Sequence, residues 1–280
     1  MSAVFSITVN GYISFLEKQV ENILHYNPDC YVVIHINKEN VFTPEEQKIL
    51  DRILFNKKVF NNNNRVITKP KKIQTPQLSN ILFSKDLDYE YFVMLASNEL
   101  FFRTGAFKYM QNFDAGCFKN VATSMHEGME SANNFVKFLG GVSAFNGQHE
   151  GMFFRKKIIL NIAENILKFC PLENQNNLHD CVEEWIFATA LHNIYSNIKL
   201  GYPITILRDR APDILGTDSQ NNIASVAKFI DIMRTKNYFD GTYVLQTPIN
   251  SIFSIKRVSR DCGRDVNFAI NQLINDLPIV

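Results

Sequence analysis

Lys256, Arg257, Arg260 and Arg264 lie close together near the end of the 280-residue chain, opposed only by Asp261 and Asp265. Such a stripe is either a solvated basic face or a clamp for a diphosphate, whose departure Lys and Arg charge stabilises as the bond to it breaks. Two acidic groups stand before apolar runs. His149-Glu150-Gly151 opens Met152-Phe153-Phe154 and could face a substrate or sit in a surface loop. Glu183-Glu184 precedes Trp185-Ile186-Phe187-Ala188 on a helical pattern. Acids in a first turn commonly just complement the helix dipole, but the only Trp of the chain stands beside this pair.

The elements that must position these residues alternate between strand and helix. Val4 to Val9 is β-branched and short, and Asn10-Gly11 ends it as a turn. Ile13, Phe15-Leu16, Val20 and Ile23-Leu24 recur at helical spacing, and Asn27-Pro28-Asp29 breaks that helix. Tyr31 to Ile36 is almost continuously apolar, as in a strand buried on both faces. Strand, helix and strand in so short a span form a βαβ unit. Thr43-Pro44-Glu45-Glu46 carries the signals of a helix start. Val66-Ile67-Thr68 is expected as a short strand, Pro76 to Phe83 as a helix, and Tyr91 to Leu95 as another buried strand. Helices are expected over 156–170, 181–198, near 223–236 and over Val266 to Leu277, and strands over Tyr202 to Leu207 and Ser251 to Val258. The alternation predicts an α/β fold. With neither repeat nor low-complexity linker, a single domain over 1–280 is expected.

Open α/β sheets bind ligands at the carboxyl ends of their strands. The polar residues there are Asn10 and Gly11, then His35, Asn37 and Lys38, then Ser97, Asn98 and Glu99. The first turn lacks Gly-x-Gly-x-x-Gly, and the chain lacks Gly-x-x-x-x-Gly-Lys-Ser/Thr, which weakens dinucleotide and P-loop readings. Gly11 alone is compatible with ordinary chain reversal. The balance of 29 Lys+Arg against 28 Asp+Glu argues against a protein whose main partner is a nucleic-acid backbone. An aromatic content of 12% argues against a disordered chain. The five cysteines are scattered and lack zinc-ligand spacing, so reduced thiols in a cytoplasmic protein are expected. The first residues carry no secretory signal pattern, and no apolar run is long enough to span a membrane.

Taken in order, the segments resemble the core-2/I-branching β-1,6-N-acetylglucosaminyltransferase family and its bacterial relatives. FSITVNGYISFLEKQVENILHYNPDCYVVIHINKEN resembles the family's opening strand, helix and second strand end. RVITKPKKIQTPQLSNIL and DYEYFVMLASNELFFRTG resemble its next helix and the strand entering a Gly-x-Asp-x-Pro-like loop. GMFFRKKIILNI, EEWIFATAL and SIKRVSRD resemble its acceptor-side strand, its Asp-Glu-x-x-Trp-Ala-Thr-Leu segment and its basic C-terminal strand.

The resemblance implies a single GT-A-like, Rossmann-like domain with a mixed central sheet flanked by helices. Its nucleotide-binding part would cover about 1–100 and its acceptor and catalytic part about 101–280. It implies an inverting glycosyltransferase with a UDP-sugar donor, a glycan or lipid-linked saccharide acceptor and no metal. A role in bacterial capsule or lipopolysaccharide synthesis follows, in the cytoplasm with at most peripheral membrane contact.

Phe187-Ala188-Thr189 falls on the family's Trp-Ala-Thr, which puts Glu184 on the catalytic base. Donor contacts are carried to Asn10, Gly11, His35, Asn37, Asn98, Lys256, Arg257 and Arg260, and acceptor contacts to Glu99, His149 and Glu150. The chain departs from the family at Asn37, where an Asp is usual, and at Asn98-Glu99, which replaces the Gly-x-Asp loop. Where a metal-dependent GT-A enzyme carries Asp-x-Asp, this chain has Ser97-Asn98-Glu99. Asp86 and Asp88 do form that motif, but at the amino end of the strand, where solvation is their expected role. The alternatives are a metal-dependent or retaining transferase of the same fold, or a non-catalytic carbohydrate- or nucleotide-binding module.

Overall fold

A computed structural model of the protein describes residues 2–9, 11, 13–69, 72–122, 129–178, 181–207, 238–241 and 244–256, with the side chains of 206–247 left out. Asn10, Arg257, Arg260, Arg264 and the helices expected near 223–236 and over Val266 to Leu277 lie outside the described residues.

The chain runs β1 (Ala3–Val9), α1 (Ile13–Tyr26), β2 (Tyr31–Ile36), α2 (Pro44–Leu54), β3 (Val59–Asn61), α3 (Gln74–Ser84), β4 (Tyr91–Ala96) and β5 (Glu99–Phe101). It continues through α4 (Ala106–Met110), β6 (Ala115–Gly116), β7 (Asn120–Val121), α5 (Met129–Phe138), β8 (Phe145–Asn146), β9 (Phe153–Arg155) and α6 (Lys156–Phe169). After α7 (Ile186–Ile194) come β10 (Leu200–Gly201), β11 (Thr205–Leu207), β12 (Tyr238–Gly241), β13 (Val244–Pro248) and β14 (Ser254–Lys256).

Seven strands form a mixed central sheet in the order β10-β6-β9-β4-β1-β2-β3. β1 lies parallel to both β2 and β4, while β9 runs antiparallel to β4 and β6. Every residue of β1 and β4 is buried. Alternation divides them between two cores. Val4, Phe92 and Met94 join the core formed with α3, α5, α6 and α7, whereas Phe5, Ile7, Val93 and Leu95 join the core under α1 and α2. The architecture is therefore the expected α/β layer, a mixed sheet flanked by helices. Among the described residues, no helix is long and apolar enough to cross a membrane.

Two local expectations are realised in detail. α2 begins with a reciprocal cap, in which the Glu46 N–H donates to Thr43 Oγ1 at 3.2 Å and the Thr43 N–H to Glu46 Oε2 at 2.8 Å. Asp86 and Asp88 are exposed before the amino end of β4.

Two expectations are corrected. Val66-Ile67-Thr68 is not a strand; the strand beside β2 is Val59–Asn61. Residues 66–68 are instead tied to the carboxyl end of β2 by the side chains of His35 and of Asn37, the residue after the strand. The Val66 N–H donates to His35 Nε2 at 2.9 Å, and the Thr68 N–H to Asn37 Oδ1 at 3.0 Å. The helix expected over 181–198 is shorter, because a separate 3₁₀ turn occupies Val182–Glu184 before α7 starts at Ile186. Cys181 enters that turn at φ 60°, in the left-handed region, and Trp185 leaves it at φ −132°, so one α-helix cannot run through.

A smaller sheet, β11-β14-β5, stands beside the main one. Its β5 follows β4 after a tight turn, and α1 holds that turn. Gln19 donates to the Ala96 carbonyl at 2.7 Å. Asn22 donates to the Phe101 carbonyl at 2.9 Å and accepts from the Phe101 N–H at 2.7 Å. Both side chains are buried among the apolar positions of the helix. Asn22→Ala would leave a buried donor and a buried acceptor unmade, and should cost roughly 2–4 kcal/mol. Urea unfolding against wild type measures it; a loss below that of an ordinary surface substitution would mean this clamp is not what holds β5.

Candidate active site

Glu99 is the first residue of β5 and is fully buried. Antiparallel pairing sets Lys256 of β14 directly opposite it, and parallel pairing sets Thr205 of β11 opposite Ser254. The Ala96 N–H donates to Glu99 Oε1 at 2.7 Å, and the Thr205 hydroxyl donates to Oε2 at 3.1 Å. Thr205 Oγ1 and Ser254 Oγ are 2.8 Å apart. Burial, then the neighbouring Glu150 charge, push the Glu99 carboxyl up to about 8.

The native protein thus keeps a proton on Glu99 that the unfolded chain loses above its ordinary value near 4.5. Stability from this group falls as pH rises from about 4.5 to about 8. Glu99→Gln resembles the protonated acid. Between pH 5.5 and 8.5, wild type should lose roughly 3 kcal/mol more than the variant. Denaturant unfolding at the two pH values measures it, and equal pH slopes would mean Glu99 folds ionised.

Glu150 comes from the turn before β9. Gly151, at φ 72°, lets the chain reverse there, and a Cβ on it would stand 2.3 Å from the Thr205 backbone nitrogen. The Gly151 N–H donates to the Met94 carbonyl and its own carbonyl accepts from the Ile204 N–H, so this glycine stitches the two sheets together. Gln148 donates to the carbonyls of Glu150 and Thr205. The turn thereby delivers Glu150 to Lys256, and the two form a hydrogen-bonded ion pair. Although burial opposes ionisation, the charge and hydrogen bond of Lys256 hold the Glu150 carboxyl below its ordinary value. His149 is 2% exposed, lies against the Phe187 ring of α7, and has no partner for either ring nitrogen among the described residues. Burial pushes its imidazole down to about 4, so it is neutral near pH 7.

The acid pair divides. The Glu184 side chain is exposed, whereas that of Glu183 is buried. Glu183 Oε2 has no hydrogen-bond partner among the described residues. Burial, followed by the charges of Glu184 and Glu150, pushes its carboxyl up to about 7. Two anchors fix the turn. The Gly147 N–H donates to the Glu184 carbonyl at 2.6 Å, and buried Trp185 packs on Phe135. Lys72 approaches from before α3 and bonds the Leu178 carbonyl.

The structure therefore gathers Glu99, His149, Glu150 and Lys256 in one cluster, joining residues that the sequence divides between acceptor and donor. Thr205, Ser254 and Glu183 join them; only Glu183, as half of the acid pair, had a sequence signal. His35 and Asn37 are set apart by their work on 66–68. Burial pushes His35 down to about 4, leaving a neutral ring able to accept from Val66. Gly11, at φ 81°, and Asn98 are partly exposed in the turns after β1 and β4. Among the described residues, no group of three His, Cys, Asp or Glu could hold a metal ion. Both Glu99 oxygens are already engaged by Ala96 and Thr205.

No family model matches the chain. A curated hyaluronan synthase of Pasteurella multocida is 25% identical over 191 residues, covering 61% of this chain and 19% of that protein. The chain thus spans about a fifth of the length of the curated relative it matches. Among solved structures, that of the galactosyltransferase LgtC in complex with donor and acceptor sugar analogues is similar at 10% identity and a TM-score of 0.46, over 100% of this chain and 97% of that one. The mannosyltransferase Ktr4p from S. cerevisiae is similar at 13% identity and a TM-score of 0.38, over 68% of this chain and 65% of that one.

Proposed function

We propose that this protein is a glycosyltransferase that moves a sugar from a nucleotide diphosphate sugar, a UDP-sugar, to a hydroxyl of a glycan acceptor. The observation that carries this reading is a buried glutamate with an unused oxygen, Glu183, electrostatically coupled to Glu150, which in turn pairs with Lys256. The match to a hyaluronan synthase supports sugar transfer and a place in polysaccharide synthesis.

In the mechanism we infer, the acceptor oxygen attacks the anomeric carbon in a single displacement that inverts its configuration. Glu183 takes the proton from that oxygen, help worth ~10²–10⁴-fold. Lys256 stabilises the departing diphosphate, acting where negative charge develops as the bond breaks. The neutral His149 ring has both a donor and an acceptor nitrogen to offer a sugar hydroxyl. The resemblance carries the base to Glu184; our reading assigns it to Glu183, because Glu183 is the member of the pair turned inward. We place the reaction in the cytoplasm, supported by Cys30 and Cys117, buried thiols that burial pushes up to about 12.

The test is a panel of UDP-, GDP- and CMP-sugars, read by thermal shift and by nucleotide release with oligosaccharide acceptors. A UDP-sugar should raise the melting temperature and be consumed with EDTA present. Glycan binding with no turnover of any donor would overturn the enzyme reading, and a hit confined to a CMP-sugar the donor class. Rescue of an EDTA-silenced enzyme by manganese would overturn the metal-free mechanism, and retained anomeric configuration the single displacement.

A further inference from the structure

Glu150 is 7% exposed and is surrounded by groups from separate elements. Glu99 faces it from β5, Lys256 from β14 and His149 from its own turn, while Glu183 couples to it from the 182–184 turn. Lys72 is near enough to act on Glu183, but its ammonium is bonded to the Leu178 carbonyl. Among the described residues, Lys256 is thus the cation that offsets Glu150. It is also the cation which the proposed function assigns to the diphosphate.

One ammonium cannot fully neutralise both anions. A diphosphate arriving at Lys256 places new negative charge beside a buried carboxylate and draws away its counter-ion. Both effects favour the neutral acid. Neutral His149 supplies no replacement charge. We propose, resting on the nucleotide-sugar reading, that diphosphate binding is coupled to protonation of Glu150. The ammonium of Lys256 keeps its protons and turns to the phosphate oxygens. The Glu150 carboxylate takes one proton from solvent and becomes a carboxylic acid, able to donate a hydrogen bond into the site instead of repelling the ligand. Glu150 is then a positioning residue that stores Lys256 in the empty site and releases it on binding. Donor binding should weaken as pH rises, although every charge on a nucleotide diphosphate diester is constant near neutrality.

The experiment is calorimetric titration of the wild-type protein with UDP-N-acetylglucosamine and UDP-glucose at pH 7, in PIPES, MOPS and imidazole buffers of different ionisation enthalpy. The dependence of apparent enthalpy on buffer should report uptake of roughly half to one proton per nucleotide sugar bound, with affinity falling up to about tenfold per pH unit between pH 6 and 8. Glu150→Gln should bind without proton uptake and with a flat affinity profile, and His149→Gln should retain the uptake. Wild-type binding with no proton exchange would overturn the coupling. Uptake that survives in Glu150→Gln, or vanishes in His149→Gln, would overturn its assignment to Glu150. A wild-type protein that binds no nucleotide sugar in any buffer would overturn the glycosyltransferase reading itself, and the coupling with it.

Discussion

Glu183→Gln should lower the rate of sugar transfer by ~10²–10⁴-fold while leaving donor affinity unchanged. The variant keeps the size and burial of the side chain and removes only its capacity to accept a proton. Glu184→Gln should retain transfer within a few-fold of wild type, since its side chain is exposed while that of Glu183 is buried. The pH profile supplies an independent reading. Burial pushes the Glu183 carboxyl up to about 7, and a base must be ionised to act. At saturating donor, transfer should therefore rise with pH through about 7 and then level, and Glu183→Gln should lose that rise together with the rate. Steady-state assays of both variants from pH 5.5 to 9 decide the matter. If Glu184→Gln is the silent variant, the base is Glu184, and the turn that carries the pair must rotate when substrate binds.

Lys256→Met should fail in two separable ways. The first is donor binding, which loses its counter-charge for the diphosphate. The second is stability. Removing Lys256 leaves the charge of buried Glu150 uncompensated, at a cost of about 3–5 kcal/mol. The sign with pH follows from Glu150. In wild type, Lys256 holds the Glu150 carboxyl below its ordinary value, so the pair stabilises the fold above about pH 4.5 and loses that contribution as pH falls further. Without Lys256, burial drives the same carboxyl upward, and its ionisation opposes folding. The variant should therefore come closest to wild type near pH 5 and fall behind as pH rises. Combining it with Glu150→Gln should restore stability at pH 8 without restoring transfer. Denaturant unfolding of the single and double variants at pH 5 and 8 tests this; a pH-independent loss would show that Lys256 contributes by packing rather than by charge.

These effects depend on pairings that differ greatly in how visible they are in the sequence. The Thr43–Glu46 cap needs four consecutive residues, and the sequence signals it directly. The Asn22 clamp does not stand out in the same way. A polar residue within an amphipathic helix reads as an exposed position until β5 is known to lie beneath it. Val66-Ile67-Thr68 misleads for a related reason. Its β-branched composition suits a strand, but His35 and Asn37 bind its backbone with their side chains, and the ladder of β2 is given to Val59–Asn61. Those same bonds occupy His35 Nε2 and Asn37 Oδ1.

The sequence by itself determined what depends on neighbours in the chain. The β-branched run in β1 and the nearly continuous apolar runs in β2 and β4 read as strands, the latter two covered on both faces, and the periodic segments between them as helices, so the α/β layering follows from local pattern. It also determined which residue types were available for chemistry: the acid pair before Trp185, the polar turn at His149-Glu150 and the basic stretch from Lys256. Only the tertiary structure decided how they combine. Lys256 meets Glu150 across a separation of 106 residues, and it does so because β14 pairs with β5 in the register that sets it against Glu99 while Gly151 stitches the turn to Thr205. Between Glu183 and Glu184, local pattern cannot choose, since both precede the same helix. In the structure the 3₁₀ turn Val182–Glu184, set off from α7 at Trp185, buries Glu183 and leaves Glu184 in solvent. Periodicity is a property of adjacent residues; register and the burial of a charge are properties of surfaces brought together from distant parts of the chain.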